Sequence, residues 1–155
     1  KPAFTAVLVS NVGNVYFHLG RYADAMECFE RALKYHEEEE NLNEVAVMLN
    51  GMAGVQVYTQ RYDEGLKLLQ RALRIAPDSP LIQQHLAEMF LAEGDYQQAL
   101  LWSEKVVKIG PSHGQLCQRA RRVVSLAAEM LGDIKKQGQA LDAIARCVQK
   151  AKPRY

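Results

Sequence analysis

An all-α fold built from antiparallel helix pairs is what this sequence predicts. Three observations carry the prediction. Apolar residues recur three and four apart between turn signals, as on one face of a helix. No stretch shows the sustained alternation and β-branched enrichment of a set of strands. Gly and Pro fall at intervals that cut the chain into blocks of helix length.

The first helix, near 6–19, carries Val9, Val12, Gly13, Tyr16 and Leu19 at helical spacing, and Gly20-Arg21 ends it. The second, 22–39, carries Ala25, Phe29, Ala32 and Leu33. The third, 42–59, runs to the break at Gln60-Arg61. The fourth, 62–75, meets Pro77-Asp78-Ser79-Pro80, where proline cannot continue a helix and Asp and Ser favour caps. The fifth, 80–92, stops at Gly94-Asp95, and the sixth, 95–108, at Gly110-Pro111-Ser112-His113-Gly114. The seventh, 114–131, takes its apolar face from Val123, Val124, Leu126, Ala127 and Met130 and ends at Gly132-Asp133. The eighth, 134–151, takes its face from Ile134, Leu141, Ile144, Ala145 and Val148, is interrupted by Gly138, and frays from Lys150 to Tyr155.

At 155 residues and 17.4 kDa the chain is one domain's worth or a short repeat array. A hydrophobic content of 48% with 24% charged residues is the composition of a soluble globular protein. The formal charge of +1 lacks the electrostatic drive behind non-specific nucleic-acid binding. No apolar run approaches the roughly 20 residues of a membrane span. Three widely spaced cysteines, Cys28, Cys117 and Cys147, predict reduced thiols in a cytoplasmic setting and no disulfide framework. No signal peptide opens the chain, and Lys1 in place of Met reads as an excised fragment.

Self-similarity decides the architecture. Gly20-Arg21-Tyr22, Gln60-Arg61-Tyr62 and Gly94-Asp95-Tyr96 each precede a second helix. Three residues after each aromatic stand Ala25, Gly65 and Ala99; seven after, Phe29, Leu69 and Ser103; ten after, Ala32, Ala72 and Val106. Pro77 and Pro111 lie fifteen after Tyr62 and Tyr96, with Glu37 in the first repeat's proline position. Gly13, Ala53 and Ala87 sit nine before the aromatics, where small side chains let two helices approach.

This spacing resembles the tetratricopeptide repeat (TPR) family over about residues 6–112. The departures are Glu37, Gln56, Gln83, Ser103 and Val106. Repeats two and three are offset by 34 residues, but one and two by 40, the additional six lying between His36 and Glu44. Ser10-Asn11-Val12-Gly13-Asn14-Val15-Tyr16 is similar to the opening of the longer repeats of kinesin light chains and G-protein-signalling modulators. The resemblance implies a TPR-type α-solenoid within 1–155: repeats at about 6–39, 46–79 and 80–113, and a degenerate C-terminal capping helix pair at 114–151. In that pair Arg121 occupies the place of a small residue.

In such a superhelix the first helix of each pair lines a concave wall. Reading offsets from the buried small residues puts Asn11, Asn14, Phe17 and His18 on it from repeat one, and Asn50 and Tyr58 from repeat two. Gln84, His85 and Glu88 follow from repeat three, and Arg119 and Arg122 from the last pair. Amides both donate and accept, so a ladder of them can hold an extended backbone without dictating its sequence. Phe17 and Tyr58 would take apolar anchors, and Arg119 with Arg122 an acidic residue of the partner. Plain solvent-facing polarity is the alternative for each amide. The family's clamp for chaperone C-terminal tails needs Lys and Asn, then Asn, then Lys and Arg. The corresponding residues are Ser10, Asn14, Gly51, Leu81 and His85, so only Asn14 matches and that partner is not expected.

Catalysis finds no footing. No CxxC, HxxxH or HExxH spacing offers a metal set, no glycine-rich loop offers a phosphate site, and no GxSxG elbow occurs. Cys28 reads as a buried inert thiol, His85 with Glu88 as a hydrogen-bonded pair, and Trp102 as packing against the next helix pair. The expectation is therefore a non-catalytic module, without cofactor or metal, that binds a protein or peptide partner on its concave surface. The alternative is an assembly unit that self-associates or docks through its end or convex face. RNA binding through Arg119, Arg121, Arg122, Lys135 and Lys136 ranks below both.

Overall fold

The computed structural model describes residues 2–148, and side chains from Phe4 onward. Its α-helices are α1 (Pro2–His18), α2 (Tyr22–Glu38), α3 (Leu42–Tyr58), α4 (Tyr62–Ile75), α5 (Pro80–Glu93), α6 (Tyr96–Ile109), α7 (Gln115–Met130) and α8 (Ile134–Ile144). A 3₁₀ turn, Ala145–Cys147, follows α8, and no strand occurs among the described residues. The class is all-α, of α-solenoid type, with helices in consecutive antiparallel pairs. The six inner helices begin and end within one residue of the expected limits. The first begins four residues early. The last runs through Gly138 uninterrupted but stops at Ile144, well short of 151; the fraying expected from Lys150 lies outside the described residues.

One turn geometry is used five times. At Gly20, Glu40, Gln60, Gly94 and Gly132 the backbone enters the left-handed region, with φ between 54° and 85°. Each of these residues donates its N–H to the carbonyl three positions back, and the next residue donates to the carbonyl five back, as in Gly20 to Phe17 and Arg21 to Tyr16. This paired arrangement satisfies the last carbonyls of the outgoing helix. The residue that closes it also starts the next helix. Asn41, Asp95 and Asp133 accept the amides of Glu44, Gln98 and Lys136 on their side-chain oxygens. Connections this short fold consecutive helices back on each other.

The six residues that lengthen the first repeat are divided between two helices. Both α2 and α3 have 17 residues where α4, α5 and α6 have 14. The insertion is thus a further turn of helix pair, not a loop.

Packing groups the chain into two compact units, one through Ile82 and the other from Gln83. In the first, α1 packs on α2, α2 on α3 and α3 on α4. Phe29 is its keystone: a Cβ at Gly13 would lie 3.1 Å from the ring, and one at Gly51 3.3 Å. The ring is buried because both facing helices present glycine to it. Ala25, Ala53 and Ala72 are fully buried, and an ion pair between Arg71 of α4 and Glu37 of α2 ties successive second helices.

In the second unit, α6 packs on α7 and α7 on α8. Ala87, Ala99, Val123 and Ala127 form a core against which Trp102 of α6 packs, as expected of it. Ser103, in a position usually apolar, is buried with its hydroxyl donating to the Ala99 carbonyl at 2.7 Å. The Arg121 expectation assumed a 34-residue offset. Gly94 and Gly132 lie 38 apart, so the small-residue position falls on Ser125, which is buried and stands nine before Ile134.

Two of the three thiols are not free. Cys117 and Cys147 form a disulfide, with Cα atoms 5.6 Å apart, and the Gly114 N–H donates to the Cys147 carbonyl at 2.7 Å. The chain after α8 is therefore fastened twice to the start of α7, which sets where the last helix stops. The expectation of reduced thiols is corrected, and with it goes the ground for a cytoplasmic assignment. Cys28 is buried as expected, and burial raises its thiol above the ordinary value, with Arg31 opposing. Among the described residues no helix is long and apolar enough to cross a membrane, and no cluster of His, Cys, Asp and Glu could hold a metal.

Candidate functional site

The amide-bearing face of α1 lies across from the start of α3, and the lengthened end of α2 closes the space between them. The result is a groove of about 620 Å³ lined by Asn11 and Asn14 of α1, His36 and Glu39 near the end of α2, and Glu44 and Val47 of α3. Asn11 and Asn14 are both exposed. His36 is 5% exposed, and its Nδ1 has no hydrogen-bond partner among the described residues. The Tyr35 ring lies edge-on to that imidazole, 5.3 Å away. The groove's lining includes two carboxylates and no Lys or Arg. It thus offers amide donors and acceptors, one buried imidazole and a negative rim.

Toward the other end of the same two helices stands an aromatic cluster. Phe17 of α1 meets Tyr58 of α3 edge to face at 5.2 Å, and Tyr22 of α2 stacks on Tyr58 at 5.7 Å. His18 lies edge-on to Phe17 at 5.6 Å. Tyr58 is 64% exposed, so this preformed apolar step remains open to solvent. Gly54, whose added Cβ would be 3.8 Å from Phe17, leaves the ring its room.

In the second unit the expected residues gather differently. Glu88 of α5 accepts both forks of Arg119 of α7, from Nε at 2.9 Å and Nη2 at 2.8 Å. Gln84 Nε2 adds a third bond to the same carboxylate at 2.9 Å. Burial pushes Glu88 upward, but the Arg119 and Gln84 bonds, with the charges of Arg119 and His85, outweigh it and hold the carboxyl below its ordinary value. Burial lowers His85, Glu88 opposes that shift, and Arg119 reinforces it. Arg119 is thus already engaged by an internal acid. Lys136 likewise holds Glu104 at 2.7 Å, and that hydrogen bond raises its ammonium above the ordinary value. Arg122 is exposed.

The structure therefore brings Asn11 and Asn14 into one groove and Phe17, His18 and Tyr58 into one cluster. It buries Asn50 and Gln84, correcting their expected exposure on the wall. Tyr35, His36, Glu39 and Asn41 were not anticipated in the groove. The six-residue excess of the first repeat was the signal that could have found them, because it is what lengthens α2.

The tetratricopeptide repeat model matches residues 4–78 and 44–112, together more than two thirds of the chain. Tetratricopeptide repeat protein 17 of Danio rerio is 24% identical over 122 residues, which cover 77% of this chain and 10% of that protein. Protein O-mannosyl-transferase TMTC1 of Homo sapiens is 26% identical over 143 residues, covering 92% of this chain and 15% of that protein. The chain thus spans about a tenth and a seventh of these two relatives. The solved structure of BtubC (BKLC) from P. vanneervenii superposes with a TM-score of 0.83 at 17% identity, over 100% of this chain and 69% of that one. On the repeat pattern, the helix pairs and the match over most of its length, the chain belongs to the tetratricopeptide repeat family.

Proposed function

We propose that this chain is a non-catalytic protein-interaction module whose α1–α3 groove holds an extended segment of a partner protein. The family supports an interaction or scaffold role in general. The finer reading rests on one observation: a groove lined by Asn11 and Asn14, with the buried His36 Nδ1 left without an internal partner beside them. A polar atom that deep has lost its water and gains from a ligand that supplies a hydrogen bond. The amides would hold the segment's backbone, and Phe17 with Tyr58 would take an apolar side chain further along.

The rim selects the partner's charge. Glu39 and Glu44 favour a segment carrying Lys or Arg and repel an acidic chaperone-type tail, for which the groove has no cation. The RNA reading loses two of its five cations, since Arg119 and Lys136 are paired with Glu88 and Glu104.

Selection of random displayed peptides against the chain tests this. Recovered peptides are expected to carry a basic residue near an apolar one. Asn14→Ala is expected to weaken them about tenfold, the worth of one or two neutral hydrogen bonds, and Tyr58→Ala comparably. Affinity that is unchanged in both variants, while their helicity and melting equal the parent's, would sink the groove reading.

A further inference from the structure

Where the end of α2 meets the start of α3, three groups of the groove lack what each requires. His36 is 5% exposed and lines the groove, yet its Nδ1 has no hydrogen-bond partner. Glu39 stands three residues later in near-helical backbone, on the same face as His36. Glu44 enters from the first turn of α3, placed there by Asn41, whose side-chain oxygen accepts the Glu44 N–H at 3.4 Å. Neither carboxylate has an ion-pair partner among the described residues. Glu37, which lines the neighbouring groove, is by contrast held by Arg71.

The chemistry of the three groups narrows what can satisfy them. A neutral imidazole carries one proton, and with that proton on Nε2 the buried Nδ1 only accepts. An acceptor sealed from water is costly to leave unpaired, and the most effective donor for it is a charged one. Two acids beside it call for the same positive charge. A primary ammonium answers all three, because its three N–H donors diverge from a narrow stem. A guanidinium is a flat fork whose donors run parallel and suit the two oxygens of one carboxylate, as Arg119 does on Glu88 in this chain. That shape matches neither a single ring nitrogen nor two separate acids. Val7 and Val47, both exposed along the groove, would cover the methylenes of a lysine stem.

We propose that His36, Glu39 and Glu44 form a lysine pocket, which takes the ammonium of a lysine side chain of the bound partner segment in preference to arginine. The inference rests on the groove reading above and narrows the basic residue that its rim selects. Reaching Nδ1 asks for a rotamer step among the lining side chains, and Glu39, which is exposed, has room for one. Acetylation of the partner's lysine removes its charge and two of its three donors, so the pocket also distinguishes the modified side chain from the free one.

Nitrogen-15 NMR of the chain with labelled histidines tests this, with N-acetyl-lysine methylamide as the probe. The chain has four histidines, and His36→Phe identifies the His36 signals. Without probe, Nδ1 of His36 is expected at the position of an unprotonated ring nitrogen; a proton found on Nδ1 at neutral pH overturns the proposal. The probe is expected to move that signal upfield and to saturate at millimolar concentration. N-acetyl-arginine methylamide is expected to bind several-fold more weakly, and the ε-acetylated lysine probe to leave the signal in place. Glu39→Gln with Glu44→Gln, neither of them buried, should weaken the lysine probe about tenfold while helicity and melting stay at the parent's values. Equal affinity for the lysine and arginine probes, or full affinity in the folded double variant, overturns the pocket. A peptide recovered by display separates this outcome from failure of the groove. If that peptide needs Asn14 but accepts arginine in place of its lysine, the groove stands and the lysine pocket falls. If it ignores Asn14→Ala and Tyr58→Ala while the capped lysine still saturates at His36, the pocket stands and the extended-segment reading falls.

Discussion

Glu88 and His85 sit one helical turn apart on α5, and both titrate below their ordinary values for different reasons. The sign of the consequence is the same for both. As pH falls below the ordinary imidazole value of 6.5, the unfolded chain protonates at His85 while the folded chain resists, so stability is lost through that window. Below the ordinary carboxylate value of 4.5, the unfolded chain protonates at Glu88 while Arg119 keeps the folded carboxylate charged, and stability falls again. The urea midpoint is therefore expected to drop between pH 7.5 and pH 5.5, and His85→Gln should flatten that part of the profile. Arg119→Met should cost about 1–2 kcal/mol near neutrality, the low side for an ion pair because the pair is a third exposed. If His85→Gln leaves the slope between pH 7.5 and 5.5 unchanged, the burial of His85 does not govern it. The Glu88–Arg119 fork was not legible in the sequence, which placed both residues on one wall but could not tell a ligand contact from an internal pair. Asn50 and Gln84 were misplaced for a related reason: helical angle separates faces, but it does not reveal how far a neighbouring helix overlaps one.

The helix pairs were far more legible, because each turn announces itself locally. Gly20, Gly94 and Gly132 stand where the backbone takes a positive φ, and a capping-type residue follows two of them. That is why the inner helix limits could be read to within a residue. The end of α8 could not, because a disulfide and one long-range backbone bond fix it, and neither has a local signature. Two of the five turns break the glycine rule. Gln60 at φ 61° and Glu40 at φ 54° hold side chains in a region that crowds the Cβ against the backbone. Gln60→Gly is expected to raise stability by up to about 1 kcal/mol by relieving that crowding, in spite of glycine's greater freedom in the unfolded chain. The check is the urea midpoint of Gln60→Gly beside that of Gly20→Ala. The former should rise and the latter fall, since alanine at φ 74° meets the same crowding anew. A fall in both would mean that Gln60 makes up its strain through its side chain.

At the scale of the whole molecule the repeats leave one unit to stabilise itself by covalent means. The first unit has its lengthened helices and the Phe29 keystone. The second has shorter helices, a final helix of 11 residues with exposed Ile134 and Leu141, and a bond between Cys117 and Cys147 that spans 30 residues. Closing a loop of that length restricts the unfolded chain by about 3–4 kcal/mol in the loop-entropy account. The bond holds the chain after α8 to the start of α7. Reduction should therefore act locally. Hydrogen exchange under reducing conditions is expected to accelerate in the amides of α8 and the first turns of α7, with α2 and α3 left close to their oxidised rates. Cys117→Ser with Cys147→Ser should reproduce that pattern without a reductant. Uniform acceleration along the chain would mean that the two units unfold as one. Unchanged exchange in α8 would mean that Ala140, Ala143 and the Gly114–Cys147 backbone bond hold the last helix without the disulfide.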